Sequence, residues 1–213
     1  MPDARGIPAH LDHLVLATPD LDATRAWIAS SLGVEPSAGG QHTGRGTRNF
    51  LLALGGGSYL EIIGRDADQP EPPAPRSFGI DGLTEPSLVA WAVRSANLEE
   101  AVRIAAGHGF GLGTVQAMSR ATPDGEVLSW RLTFRQYEGA SIVPFFIDWG
   151  ATRHPSVTAA AGASLTDLRA HHPRPEAVQP LLAALGVELR VEEGPDERLL
   201  ASITGPGGRL ELS

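Results

Sequence analysis

The chain has 213 residues, 42% hydrophobic and 20% charged, which is enough apolar material for one large domain or two small ones. A formal charge of −8 with no Lys/Arg cluster argues against nucleic acid or anionic membrane as a partner, since both require concentrated positive charge. With no cysteine there are no disulfides, no thiolate metal sites and no cysteine nucleophile.

The N-terminus, Met1-Pro2-Asp3-Ala4-Arg5-Gly6-Ile7-Pro8, lacks the apolar core of a signal peptide. No apolar run approaches the roughly 20 residues that a membrane span needs. The expectation is a soluble cytoplasmic protein. Leu11 to Ala17 reads as a strand buried on both faces, with Asp12 and His13 its only polar members. Thr18-Pro19-Asp20 then stops the strand and starts a helix, with Asp20 as N-cap. Leu21, Thr24, Trp27, Ile28 and Leu32 follow at helical spacing up to Gly33. Residues 34–47 read as an irregular strand and a glycine-rich turn, and residues 49–54 and 58–63 as two strands joined by Gly55-Gly56-Gly57.

A proline-rich connector spans residues 66–86 and reads as a crossover between modules, because it cannot pair inside a sheet. The pattern then repeats. A strand at 88–93, a helix opened by Ser95 to Asn97, and strands near 113–121, 127–136 and 142–149 follow, with Pro123-Asp124-Gly125 as a hairpin turn. A third, compressed copy occupies residues 164–213: a strand at 165–169, a helix at 176–185 with an irregular first turn because of Pro180, and strands at 187–192, 198–204 and 209–212. The fold class expected is α+β, with repeated βαβββ modules forming a curved mixed sheet around a cavity. Two modules, 8–66 and 87–150, make one domain over residues 8–150, and the third packs on the same unit.

Parity along the strands gives a first indication of a site. If Leu14, Leu16, Leu60 and Ile62 bury against the module's helix, His13 and Glu61 both face the concave side. A carboxylate between apolar neighbours points to a role, since carboxylates are seldom fully buried without a partner. His13 reads either as a functional imidazole or as a core histidine satisfied by a backbone carbonyl or by Asp12. His42 precedes Thr43-Gly44-Arg45-Gly46-Thr47-Arg48-Asn49. It reads either as an exposed turn residue or as an acid/base at a cavity mouth, with Asn49 as an orienting amide. Arg45 and Arg48 suit attraction of an anionic substrate or are solvated turn arginines. Phe145, Phe146 and Trp149 read as pocket wall or as plain core. Glu211 reads as an edge-strand surface residue, and His171-His172 as a solvated turn. No nucleophile elbow is present.

The order strand, helix, three strands resembles the vicinal-oxygen-chelate superfamily, and more narrowly its glyoxalase-like domain branch. The residues that carry the resemblance are Leu11-Asp12-His13-Leu14-Val15-Leu16-Ala17, Gly44-Arg45-Gly46-Thr47-Arg48-Asn49, Tyr59-Leu60-Glu61-Ile62-Ile63-Gly64 and Val143-Pro144-Phe145-Phe146-Ile147-Asp148-Trp149-Gly150. It is clearest over residues 8–150.

The resemblance implies a small-molecule enzyme of glyoxalase or dioxygenase type, acting on a substrate with adjacent oxygens. It implies His13, Glu61 and Asp148 as ligands of one divalent metal ion acting as a Lewis acid. His42 and Glu61 would be the catalytic groups, and Asn49, Arg48, Phe146 and Trp149 would contact substrate. Ala90 stands where the second module would supply its own histidine, which favours the alternative of a metal-free protein that binds or sequesters a ligand, as bleomycin-resistance proteins do. The expected partner is a small molecule, and the expected state is a monomer or homodimer.

Overall fold

The computed structural model describes residues 7–122, 124–135 and 141–213. The N-terminal Met1 to Gly6, Pro123 of the expected hairpin turn and Gln136 at the end of an expected strand lie outside the described residues. The first module is β1 (Leu11–Ala17), α1 (Leu21–Leu32), β2 (Ser37–His42), β3 (Thr47–Gly55) and β4 (Ser58–Arg65). Local chemistry sets both ends of α1. The Asp20 side chain accepts from the Ala23 amide at 3.0 Å, and Gly33 closes the helix at φ 69° with its amide on the Ala29 carbonyl at 2.8 Å.

The second module is β5 (Ser87–Arg94), α2 (Leu98–Gly107), β6 (Thr114–Ala121), β7 (Val127–Phe134) and β8 (Phe145–Asp148). Together the eight strands close into a barrel in the order β1-β4-β3-β2-β6-β7-β8-β5. In each half the first and last strands are parallel neighbours, β1 with β4 and β5 with β8. The halves join through an antiparallel β1–β5 ladder on one side. On the other side β2 and β6 meet through a single pair, Gln41 with Ala121.

The period-2 alternation sorts side chains into two layers. Leu14, Leu16, Leu60 and Ile62 point outward and pack with Ile28 and Leu32 of α1. Val15, Ile63, Ala90, Phe145 and Ile147 cluster inside the barrel. A one-residue slip of β1 and β4 would exchange these faces. Uncovering four large aliphatic side chains at ~1.5–3 kcal/mol each is comparable with the whole stability of a domain, so the register is firmly specified.

The third βαβββ stretch, β9 (Ser164–His172), α3 (Pro175–Ala184), β10 (Arg190–Glu193), β11 (Arg198–Gly205) and β12 (Gly208–Leu212), builds its own sheet in the order β10-β9-β11-β12. Its strands do not enter the barrel wall. Their apolar faces instead share the outer core, where Leu165, Leu199 and Ile203 join the cluster around Leu14 and Leu60. Pro175 occupies the first turn of α3, and Pro180 lies within a helix that continues to Ala184 rather than disrupting its start. The β11–β12 turn sits on the end of α1: the Gly207 amide donates to the Leu32 carbonyl at 2.8 Å. A side chain at Gly205 would put its Cβ 2.3 Å from that carbonyl oxygen, so the contact requires glycine there.

The connector 66–86 crosses between modules and carries a 3-10 segment at Ser77–Gly82. Buried Arg76 anchors it, donating to the Gly46 carbonyl at 2.9 Å and to Glu71 and Asp81 at 2.6–2.9 Å. Phe78 adopts φ 64°, a left-handed conformation costly for a non-glycine residue, and its ring meets Phe145 with centroids 6.3 Å apart. Among the described residues no helix is long and apolar enough to cross a membrane.

Candidate active site

The barrel encloses a cavity of about 80 Å³, room for several waters or a small organic molecule. Its walls are largely aromatic and aliphatic, from Phe78, Trp130, Leu132, Phe134, Phe145 and Trp149. Its polar groups come mostly from the first module: His13 on β1, His42 on β2, Thr47 and Asn49 on β3, and Tyr59 and Glu61 on β4.

These groups converge on the Glu61 carboxylate. Its Oε1 accepts from Asn49 Nδ2 at 2.5 Å and lies 3.7 Å from His42 Nε2. Its Oε2 lies 3.7 Å from His13 Nε2. The other nitrogen of each imidazole is held elsewhere, His42 Nδ1 by the Thr47 hydroxyl at 3.0 Å and His13 Nδ1 by Asp12 at 2.7 Å. Burial pushes the His42 imidazole below its ordinary pKa, and nearby Arg120 and Arg45 add to this against the opposing pull of Glu61. His42 is therefore neutral at pH 7 and able to pass a proton in either direction.

A second network supports the first from behind. Asp12 is fully buried and its carboxylate accepts from His13 Nδ1, from His154 Nε2 at 2.9 Å and from Trp149 Nε1 at 3.1 Å. Burial alone would raise its pKa, but the hydrogen bonds from His13 and His154 outweigh that and hold it well below the usual carboxylate range. Asp12 is thus an anion that accepts a hydrogen bond from His13 Nδ1 and so turns Nε2 of that ring toward Glu61. Tyr59, the partner of His13 in the parallel ladder, stacks on the imidazole at 4.7 Å between centroids.

Of the residues expected from sequence, the structure brings His13, His42, Asn49, Glu61 and Trp149 to one cavity. It does not bring Arg48, Phe146 or Asp148 there. Arg48 extends outward to Asp22, at 3.3 Å, and over Phe50. On β8, Phe145 and Ile147 point inward, so the alternate residues Phe146 and Asp148 point out, Phe146 into the outer core. Asp148 caps a local turn through the Gly150 amide at 2.9 Å. Without it, His13 and Glu61 remain as two donors. Among the described residues no group of three or more His, Cys, Asp or Glu side chains is placed to hold a metal ion. The residues present therefore do not complete the shell expected for a divalent ion.

Sequence reasoning passed over Arg120, His154 and the double use of Asp12. The chain positions of Asp12, Trp149 and His154 are too far apart for spacing to reveal their meeting. Arg120 had a signal in the consecutive Gly39 and Gly40 of β2. A Cβ at Gly39 would fall 2.1 Å from Asn49 Oδ1, and one at Gly40 would fall 3.0 Å from Arg120 Nη1.

The model of the glyoxalase-like domain family matches residues 11–186. No curated protein matches the chain. Among solved structures, a hypothetical protein from Staphylococcus aureus is similar over 95% of this chain and 98% of its own, with 16% identity and a TM-score of 0.64. A variant of methylmalonyl-CoA epimerase from Streptomyces coelicolor, in complex with 2-nitronate-propionyl-CoA, is similar over 67% of this chain and 96% of its own, with 20% identity and a TM-score of 0.43. A mutant 4-hydroxymandelate synthase from Streptomyces coelicolor is similar over 100% of this chain and 63% of its own, with 14% identity and a TM-score of 0.47. Similarity at these identities speaks to the fold alone.

Proposed function

The chain belongs to the glyoxalase-like domain family of the vicinal-oxygen-chelate superfamily, and we propose that it is an enzyme moving a proton on a small substrate with adjacent oxygens. Glu61 is the base. The observation that carries this reading is its carboxylate, set in an apolar cavity between two imidazoles and fixed by the Asn49 amide.

The electron pair of a C–H bond next to a carbonyl moves into the carbon–carbon bond, the carbonyl oxygen becomes an enolate oxygen, and the proton passes to Glu61. Return of that proton to the neighbouring carbon, with the hydroxyl proton on the first carbon passing to the enolate oxygen, completes an isomerisation; delivery of a proton from solvent to the opposite face of the first carbon completes an epimerisation. His42 exchanges the proton held on Glu61, and Asn49 keeps the carboxylate in one orientation. The aromatic walls exclude water, which strengthens each of these contacts. A divalent ion is not assigned a step, because His13 and Glu61 alone do not form its shell.

Incubation in D₂O with a panel of small 2-hydroxy- and 2-oxo-carbonyl compounds, followed by proton NMR, tests this. Wild-type protein should wash deuterium into the position next to the carbonyl. Glu61→Gln should slow that exchange by about 10²–10⁴ while unfolding at a similar temperature. A wild-type rate in the variant would remove Glu61 as base. The mainly apolar wall also suits a protein that sequesters a ligand without converting it; saturable binding with no exchange for any compound would favour that second reading.

A further inference from the structure

Arg120 on β6 is 4% exposed, yet among the described residues its guanidinium makes one hydrogen bond, from Nη1 to the Gly39 carbonyl, and no ion pair. A buried cation normally has a counter-ion, because removing it from water unpaired is costly. Here the side chain lines the cavity instead. Gly40 makes the room, since a Cβ there would crowd both Arg120 Nη1 and the Ala121 carbonyl. Burial draws the guanidinium below its ordinary pKa, while Tyr59 and Glu61 act in the other direction, which places both within electrostatic reach.

The cavity as a whole has the opposite sign to the protein. The chain carries −8, but the lining holds Arg45 and Arg120 against the single carboxylate of Glu61. Arg45 is occupied by soft contacts only, lying 5.0 Å from the Phe134 ring centroid and 3.3 Å from Met118 Sδ, and it too has no ion-pair partner among the described residues.

We propose that the substrate carries a carboxylate, which Arg120 binds as its missing counter-ion, with Arg45 adding positive charge from the same cavity. The inference rests on the proton-transfer reading of this site and names its substrate class. A guanidinium matches a carboxylate with two parallel hydrogen bonds, which would set the neighbouring carbon in a fixed position relative to Glu61.

Trp130 and Trp149 line the cavity, so their fluorescence reports occupancy without turnover. Benzoate, its neutral isostere benzamide and inorganic phosphate serve as probes. Benzoate should bind saturably and at least tenfold more tightly than benzamide or phosphate. Arg120→Met should abolish that preference, Arg120→Lys should keep part of it, and Glu61→Gln should bind benzoate at least as tightly as wild type. If Arg120→Met fails to fold, the wild-type preference and its weakening in Arg45→Met decide the matter. Equal binding of benzoate and benzamide, tighter binding of phosphate, no binding of benzoate, or an unchanged preference in folded Arg120→Met would each overturn the proposal. Because the readout is binding, a benzoate preference without deuterium exchange would defeat the proton-transfer reading and leave the anion site standing.

Discussion

Replacing Asp12 by Asn keeps the shape of the side chain and removes its charge, at a position where every neighbour is a donor. The Trp149 indole N–H can only donate. His154 Nδ1 takes the Ser156 amide at 3.3 Å, so its Nε2 must carry the proton given to Asp12. His13 supplies the third donor. An amide oxygen serves one side of this set, and the amide nitrogen then confronts a donor on the other. Hydrogen bonds to a buried charged group are worth ~1.5–3 kcal/mol each, and the amide retains some of them, so the loss should be about 2–4 kcal/mol. For a chain of this size that lowers the melting temperature by about 4–16 °C.

The loss should depend on pH in a defined direction. The folded-state pKa of Asp12 is depressed, so its contribution is complete above the unfolded value, near 3.8, and declines as pH falls below that toward the folded value. Thermal scans from pH 7 to pH 2 should show a constant gap between wild type and Asp12→Asn down to about pH 4, and a narrowing gap below it as acid is added. NMR of the imidazole nitrogens should show the His13 proton shifting from Nδ1 toward Nε2. A variant melting within about 2 °C of wild type at pH 7, with the His13 tautomer unchanged, would refute the account of Asp12 as a buried anion orienting that ring.

Two other substitutions probe the supports of the site. Gly39→Ala introduces a Cβ that would lie 2.1 Å from Asn49 Oδ1, so Asn49 must leave Glu61; deuterium exchange should fall at least tenfold, and the same change with Asn49→Ala should cost no more than Asn49→Ala alone. Arg76→Ala releases the connector from the Gly46 carbonyl, Glu71 and Asp81, so limited proteolysis should cut within residues 66–86 faster than in wild type, with β1 and β4 left intact.

Much of this arrangement could be read from alternation alone. The apolar partners of β1 and β4 assign Leu14, Leu16, Leu60 and Ile62 to the helix side, and from that His13 and Glu61 fall on one concave face, as found. The same rule applied to β8 places Phe145, Ile147 and Trp149 inward and excludes Phe146 and Asp148. The match of Asp148 to Glu61 is offset by parity unless a bulge intervenes, and the regular β8 ladders contain none. The glycine-rich segment reads as a turn that includes Arg48, whereas on β3 Arg48 alternates with the inward-facing Thr47 and Asn49. Contacts across more than a hundred residues, such as Asp12 with His154, depend on how the barrel closes, and no local pattern encodes them. Closure itself was only partly legible: the repeat gave three modules, but which of them share a wall depends on how the outer apolar faces divide between helices and a second sheet.

The turn at Gly205 to Gly208 sits against the last carbonyls of α1, and its sheet covers the same apolar surface that β1 and β4 present to that helix. The C-terminal strands therefore act as a buttress. Shortening the chain ahead of β11 would leave the Leu32 oxygen without its donor and bare a greasy flank directly behind the strands that carry the imidazole and the acid. Damage far from the hollow would then reach the chemistry through a loosened wall.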